Sequence, residues 1–236
     1  MRFLQRYKPW VVELIILHLV VAAGTAVILA YNLDLRLASG FYDEGWPLKH
    51  HPAVMLFYRF APLPALLIAV LAALIFLAAL FEQRFATWRR TAIFLVLVYI
   101  AGPGLIVNSL LKSHWGRPRP ADTAQFSGTM AFREMYDHGT PGKGKSFPSG
   151  HASAAFYLAA LYCVLRARKM RGAYAALAGG IAFGALAGIA RMAAGGHYAS
   201  DILWAGYFTL LTAFLFAPML EYETGEELRD QKSDPE

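Results

Sequence analysis

Three short clusters in this chain hold residues whose types and spacing suit work on a phosphate group. The first, 112–120, carries Lys112, Arg117 and Arg119, with Pro118 and Pro120 interleaved. Alternating prolines stiffen the backbone and present the side chains at fixed positions, and a guanidinium grips phosphate oxygens with two parallel hydrogen bonds. Taken alone, a basic stretch beyond an apolar run reads more simply as an interfacial anchor. The second, 146–153, contains Pro148, Ser149, Gly150 and His151. A helix start, with Ser149 as cap and Gly150 as a permissive turn residue, explains all of it except His151. A helix N-terminus also offers free backbone N–H groups and a positive dipole end, a natural seat for phosphate oxygens. The third, 190–201, holds Arg191, His197 and Asp201. If a helix begins near His197, Asp201 lies one turn on and on the same face. A carboxylate there fixes the imidazole tautomer, leaves the other nitrogen free to attack, and stabilises the positive charge that develops. A chance His and Asp pair at a membrane interface is less attractive, because desolvating both has to be compensated.

The elements that must position these residues are membrane helices. The chain has 236 residues, 57% apolar and 16% charged, too apolar for an ordinary soluble domain. Crossing a hydrocarbon core takes roughly 20 helical residues. Six runs qualify as spans: 10–31, 60–81, 91–111, 152–165, 173–190 and 202–220. The fourth is short, and becomes long enough only if its helix starts within 148–151. The first contains Glu13, near an interface, and His18, which reads as packed rather than as a ligand. It is long and has no small-residue cleavage site, so it is expected to be a retained span, not a signal peptide. The fold expected is all-α: an integral membrane bundle of six transmembrane helices over 1–220, followed by a polar tail at 221–236.

Lys and Arg density orients the bundle. Arg2, Arg6 and Lys8 precede the first span; Arg84, Arg89 and Arg90 follow the second; Arg166, Arg168, Lys169 and Arg171 follow the fourth. The positive-inside rule places these segments and both termini in the cytoplasm. The formal charge of +6 is then a topology signal plus phosphate-binding groups, and needs no nucleic acid. The single Cys163 lies within a span, so it forms no intramolecular disulfide, and no zinc or redox motif is visible. Gly180, Gly184 and Gly188 recur every four residues, which reads as close helix packing. This topology puts all three clusters on the outer side, at the ends of the third to sixth spans. It gathers three cations (Lys112, Arg119, Arg191), a helix N-terminus, two histidines and a carboxylate, with no plausible metal set. Such an inventory suits phosphoryl transfer, whose catalysis is mostly positioning and electrostatics.

On these motifs the chain resembles the type-2 phosphatidic acid phosphatase family of membrane lipid phosphatases. The family signature is Lys, six residues, Arg-Pro; then Pro-Ser-Gly-His; then Ser-Arg, five residues, His, three residues, Asp. Here it reads as Lys112 with Arg119-Pro120, the complete 148–151, and Arg191 with His197 and Asp201. Ala190 stands where the family usually has Ser, which touches none of the transferring groups. The resemblance covers roughly 101–220. It implies that His197 is the nucleophile, Asp201 its orienting partner and His151 the general acid and base. It also implies that Lys112, Arg119, Ser149, Gly150 and Arg191 bind the phosphate oxygens, with no metal or other cofactor.

The expected substrate is a lipid phosphate entering sideways from the bilayer; no obligate protein partner is evident. Undecaprenyl pyrophosphate, phosphatidic acid, phosphatidylglycerol phosphate and the phosphates of lipid A all fit. The outer loop 121–146, with Arg133, Glu134, Asp137, Lys143, Lys145, Phe126, Phe132 and Tyr136, is expected to choose among them unless it is an ordinary solvated loop. The stretch from Gly102 through Asn108 into 112–120 resembles bacterial lipid A phosphatases, particularly those acting at the 4′ position. That implies a Gram-negative inner membrane with the site facing the periplasm. A lipid phosphotransferase remains open, since it would use the same phosphohistidine. A transporter would leave the phosphate-binding inventory unexplained.

Overall fold

The computed structural model describes residues 2–220. The tail expected at 221–236 lies outside the described residues, as do the side chains of Arg2, Arg6 and Lys8. Among the described residues the chain is all-α, with a single isolated bridge between Thr123 and Met130 in place of any sheet.

In chain order the helices are α1 (Arg2–Ala30), α2 (Leu33–Gly40), α3 (Pro52–Phe60), α4 (Leu63–Phe81) and α5 (Arg89–Tyr99). A π-helix (Ile100–Leu111) continues α5 into the short α6 (Lys112–His114). Then come α7 (Gly150–Phe156), α8 (Leu161–Ala167), α9 (Ala173–Ala193) and α10 (Ala199–Phe216). Among the described residues, five continuous stretches are long and apolar enough to cross a membrane: Trp10–Ala30, Pro52–Phe81, Gln83–His114, Ala173–Ala193 and Ala199–Leu220. The second begins earlier than residue 60, because α3 runs into α4 with a break only at Ala61 and Pro62.

The stretch expected as a fourth span, 152–165, is built differently from the others. α7 and α8 are joined by a 3-10 turn, Tyr157–Ala160, and the whole run lies inside the bundle, with Ala152, Ala155, Ala159, Tyr162 and Cys163 fully buried. α9 and α10 cover it. Protein rather than lipid is its solvent, so its sequence need not be as apolar as the outer helices. Those outer helices carry Leu19, Leu67, Leu71 and Leu74 on their surface. A patch that large would be anomalous in water but is ordinary against acyl chains.

Small residues bring the helices close. A Cβ on Gly180 would lie 2.3 Å from the Ala159 backbone nitrogen, and one on Gly184 would lie 2.3 Å from the Phe156 ring. A Cβ on Gly188 would meet Ile202 at 2.4 Å. The four-residue glycine repeat is therefore the groove into which the central helix and α10 settle. Pro103 sits inside the π-helix and has no N–H, so the regular i→i−4 ladder is interrupted there. Asn108 Nδ2 donates instead to the Pro103 carbonyl at 2.7 Å, and the hydroxyls of Ser109 and Ser113 donate to carbonyls five residues back.

Two of the basic segments expected on one side, 84–90 and 166–171, meet at one end, beside Glu13 of α1. Arg166 pairs with Glu13 and donates to the Tyr162 hydroxyl, while Arg168 donates to Thr91 and lies 3.9 Å over the Trp88 ring. His18 packs edge-on against Tyr207 and bonds its hydroxyl. The opposite end of the bundle carries the three motif clusters.

Candidate active site

α9 ends at Ala193, and Gly195 turns the chain with φ +67. A Cβ on Gly195 would lie 2.4 Å from the Trp46 ring, and one on Gly196 would lie 2.3 Å from the Arg191 guanidinium. Only glycines let Arg191 fold back along this turn and Trp46 cover it. The turn delivers His197, 1% exposed, directly before α10. Its Nδ1 lies 2.7 Å from the Ser146 carbonyl oxygen and 3.6 Å from Asp201 Oδ2. A carbonyl only accepts, so Nδ1 carries the proton and Nε2 keeps its lone pair. Asp201 sits at the third position of α10 and accepts from the Tyr198 backbone N–H at 2.7 Å, capping that helix while its charge lies beside the imidazole. Burial pushes the His197 pKa down to about 4, against the opposing pull of Asp201, so the ring is neutral at neutral pH.

The second cluster meets the first at the start of α7. Ser149 caps this helix, its Oγ accepting from the Ala152 N–H, and its backbone N–H donates to the Asp201 carbonyl at 3.1 Å. The Phe147–Pro148 peptide bond is cis. Gly150 has no room for a side chain: a Cβ would lie 2.3 Å from Asn108 Oδ1 and 3.2 Å from Lys112 Nζ. Lys112 is thereby held over the N-terminal turn of α7. His151 stacks on Tyr58 of α3, with ring centroids 5.0 Å apart, and the Arg191 guanidinium lies 4.7 Å over the same Tyr58 ring. His151 feels the charges of Arg191, Lys112 and Arg119 and the neighbouring His197, so five of the expected site residues share one neighbourhood.

Among the described residues no carboxylate forms an ion pair with the cations there. Lys112, Arg119 and Arg191 repel one another, and the buried Nε atoms of Arg119 and Arg191 have no hydrogen-bond partner. Buried donors without acceptors are costly, and an anion with several oxygens would satisfy them. A cavity of about 250 Å³ opens beside Lys112, lined by it with Asn108, Gly150 and His151 and by Pro62, Tyr99, Pro103, Gly104 and Ala154. A phosphate on an apolar tail matches that lining. Among the described residues no three His, Cys, Asp or Glu side chains group as a metal site.

Arg117 is placed otherwise than its sequence neighbourhood implies. It turns away from the seat and is fully buried, ion-paired at 2.7 Å with both Asp34 and Asp201. The loop 121–146 also departs from a solvated loop. Phe126 and Phe132 pack with Tyr198, the Arg133 carbonyl accepts from Arg117, and the Trp115 indole donates to the Met135 carbonyl. Arg133, Tyr136, Lys143 and Lys145 remain on its surface. Asp34, Tyr58, Asn108, Ser146 and Ser200 were not picked out as site residues by sequence reasoning. Asp34 and Tyr58 sit in no motif, Ser200 is one of the unspecified residues between His197 and Asp201, and Ser146 acts through its carbonyl as well as its hydroxyl.

Comparisons with known proteins identify the family. The chain is 34% identical over 189 residues to the protein named lipid A 4′-phosphatase of Francisella tularensis subsp. novicida, covering 78% of this chain and 84% of that one. It is 37% identical over 116 residues to a lipid A 4′-phosphatase of Rhizobium leguminosarum, 49% of this chain and 48% of the relative, so that match spans about half of the relative's length. A lipid A 1-phosphatase of Rhizobium etli is 32% identical over 143 residues, 58% of this chain and 54% of the relative. No solved structure gives a significant match. The PAP2 superfamily model matches residues 91–224, from the helix that carries Lys112 to beyond α10, and so includes all three clusters. The chain belongs to the PAP2 superfamily.

Proposed function

We propose that this chain is a membrane lipid phosphatase that removes the 4′-phosphate of lipid A through a phosphohistidine intermediate. The observation that carries the reading is His197, neutral and with its proton committed to Ser146, beside three cations that form no ion pair among the described residues. Similarity to proteins named lipid A 4′-phosphatase supports the substrate. Lys112, Arg119 and Arg191, with Ser149 and the N–H of Gly150, hold the phosphate oxygens. His197 Nε2 attacks phosphorus as the bond to the lipid oxygen breaks, and His151 gives that oxygen a proton. Water then attacks the phosphohistidine, His151 takes its proton, the phosphorus–nitrogen bond breaks and inorganic phosphate leaves. The charge spread over the phosphate oxygens is met by side-chain cations, so the reaction needs no metal.

In this reading the central α7–α8 run is the sixth crossing, the protein lies in a bacterial inner membrane with both termini cytoplasmic, and the site faces the periplasm. Removing the phosphate makes the outer leaflet less negative and weakens its attraction for cationic peptides. The test is phosphate release by detergent-purified protein, with EDTA, from lipid A carrying only the 4′- or only the 1-phosphate, phosphatidic acid, phosphatidylglycerol phosphate and undecaprenyl pyrophosphate. Preferred release from the 4′ position, surviving EDTA and lost in a folded His197→Ala protein, is the expected result. Preference for the 1-phosphate would reassign the position, EDTA-sensitive release would sink the metal-free mechanism, and release by His197→Ala would sink the nucleophile. Appearance of the phosphate on a second lipid would make the enzyme a phosphotransferase.

A further inference from the structure

Behind His197 lies a buried charge network that the motif residues alone do not account for. Arg117 donates through one terminal nitrogen to Ser200 Oγ and Asp201 Oδ1, both at 2.7 Å, and through the other to Asp34 Oδ2 at 2.7 Å. Its Nε donates to the Arg133 carbonyl at 2.9 Å, and its guanidinium lies 4.5 Å from the centre of the Tyr198 ring. Asp34, on α2, accepts from the Ser200 N–H at 2.8 Å and from the Ser200 hydroxyl at 2.5 Å. Asp201 accepts in addition from the Ser146 hydroxyl at 2.5 Å. All three charged side chains are essentially out of contact with water, Arg117 and Asp201 at 0% and Asp34 at 2% exposure. Glu134 is the next carboxylate to feel Asp34 and Arg117; it sits nearer the surface, where water screens it.

Charge balance gives this network a purpose. Two carboxylates and one guanidinium sum to one net negative charge. When Nε2 of His197 bonds to phosphorus while Nδ1 keeps its proton, the ring becomes a cation in a buried site. The nearest carboxylate oxygen is Asp201 Oδ2, at 3.6 Å. If Arg117 paired with Asp201 alone, that carboxylate would already be neutralised. Asp34 takes the other side of the guanidinium and returns the balance to minus one. We propose that Asp34 and Arg117 are positioning residues for the nucleophile: Arg117 fixes the Asp201 carboxylate, and Asp34 offsets the Arg117 charge so that Asp201 can stabilise the cationic phosphohistidine. The proposal rests on the histidine mechanism given above.

The network touches no substrate, so its loss appears in kcat and not in KM. In detergent-purified protein, Asp34→Asn is expected to lower kcat by about tenfold or more with KM within about twofold. Arg117→Gln is expected to be at least as slow, since it leaves two buried carboxylates together and one of them takes up a proton. The deciding variant is the double, Asp34→Asn with Arg117→Gln, which removes one charge of each sign and restores the net minus one. Its kcat is expected to exceed that of either single variant, because the two losses compensate. A merely structural role predicts accumulation of lost hydrogen bonds, with the double at or below the slower single. That result, or a wild-type kcat in Asp34→Asn, overturns the proposal. Melting temperature and size-exclusion profile establish which variants fold. If one single variant does not, the double is compared with the other. If neither does, a double that folds and turns over supports the proposal, and one that is unfolded or inert overturns it. His197→Ala runs alongside: wild-type turnover in that variant is a failure of the nucleophile itself, distinguishable from any outcome at Asp34.

Discussion

In the proposed mechanism His197 attacks only when its ring is uncharged, and burial lowers its pKa to about 4, with Asp201 opposing the shift. A lowered pKa means the blocking proton is taken up at lower pH than by an ordinary imidazole, whose value is about 6.5. The predicted pH profile of kcat/KM, corrected for the titration of the substrate phosphate, therefore has no enzyme-derived acid limb between pH 5 and 7. A limb centred near 6.5 would contradict the environment described for this residue. At Arg191 geometry decides. Its Nε is buried without a partner, and the chain folds over glycines to aim it at the seat. Arg191→Ala is expected to slow single-turnover phosphate release about 10²- to 10³-fold, as loss of one preorganised donor does at comparable sites. Arg191→Lys should recover only part of this, because an ammonium lacks the planar fork. Equal rates for the Lys variant and wild type would remove the bidentate role.

At the scale of elements, close packing of α9 on the central helix sets where His151 and Arg191 stand. Gly180 and Gly179 are neighbours with opposite surroundings. A Cβ on Gly180 would run into the Ala159 backbone at 2.3 Å, whereas Gly179 has nothing within 4 Å. Gly180→Ala is predicted to lower stability by about 1–3 kcal/mol through overpacking. Gly179→Ala is predicted to be neutral, or to raise stability by up to about 1 kcal/mol through helix propensity. Melting temperatures of the two variants in one detergent check this, and similar values would mean α9 does not sit in the groove described. The π-helix is the second positioning device. With the ladder interrupted at Pro103, the widened turns carry Asn108 and Lys112 against Gly150, so a defect in one helix completes the mouth of another.

For the whole molecule, the two ends of the bundle differ in what they do with charge. One end ties basic side chains to partners, Arg166 to Glu13 and Arg168 to Thr91 and Trp88. The other end leaves Lys112, Arg119 and Arg191 repelling one another, with Lys112 at the wall of a cavity. The expected topology places the first in the cytoplasm and the second in the periplasm. Cys163 is buried, so cysteines introduced at exposed positions report cleanly. Lys143→Cys, on the outer loop, is predicted to react with a membrane-impermeant maleimide in intact inner-membrane spheroplasts. Lys169→Cys, between α8 and α9, is predicted to react only after lysis. The reverse pattern would invert the protein in its membrane.

Much of this was legible in the linear chain, because hydrocarbon imposes long apolar runs and a phosphate site needs particular side chains at particular spacings. The all-α membrane class, most span positions, the glycine packing face and the grouping of Lys112, Arg119, His151, Arg191, His197 and Asp201 could all be read that way. The central helix was less visible than the others because it is solvated by protein, so its apolar signal is weaker and its start is hidden in the Ser149 cap. Other features have no linear signature. Arg117 and Arg119 are identical residues two positions apart in a proline-stiffened segment. Only the folded chain decides that one pairs with Asp34 and Asp201 while the other keeps a buried Nε without a partner. Asp34 lies 83 residues from Arg117, so nothing local announces the pairing. The proton on His197 is held by a backbone carbonyl, which every residue possesses. Local chemistry and periodicity determined which residues could act; long-range packing decided which charges were neutralised and which were left for the substrate.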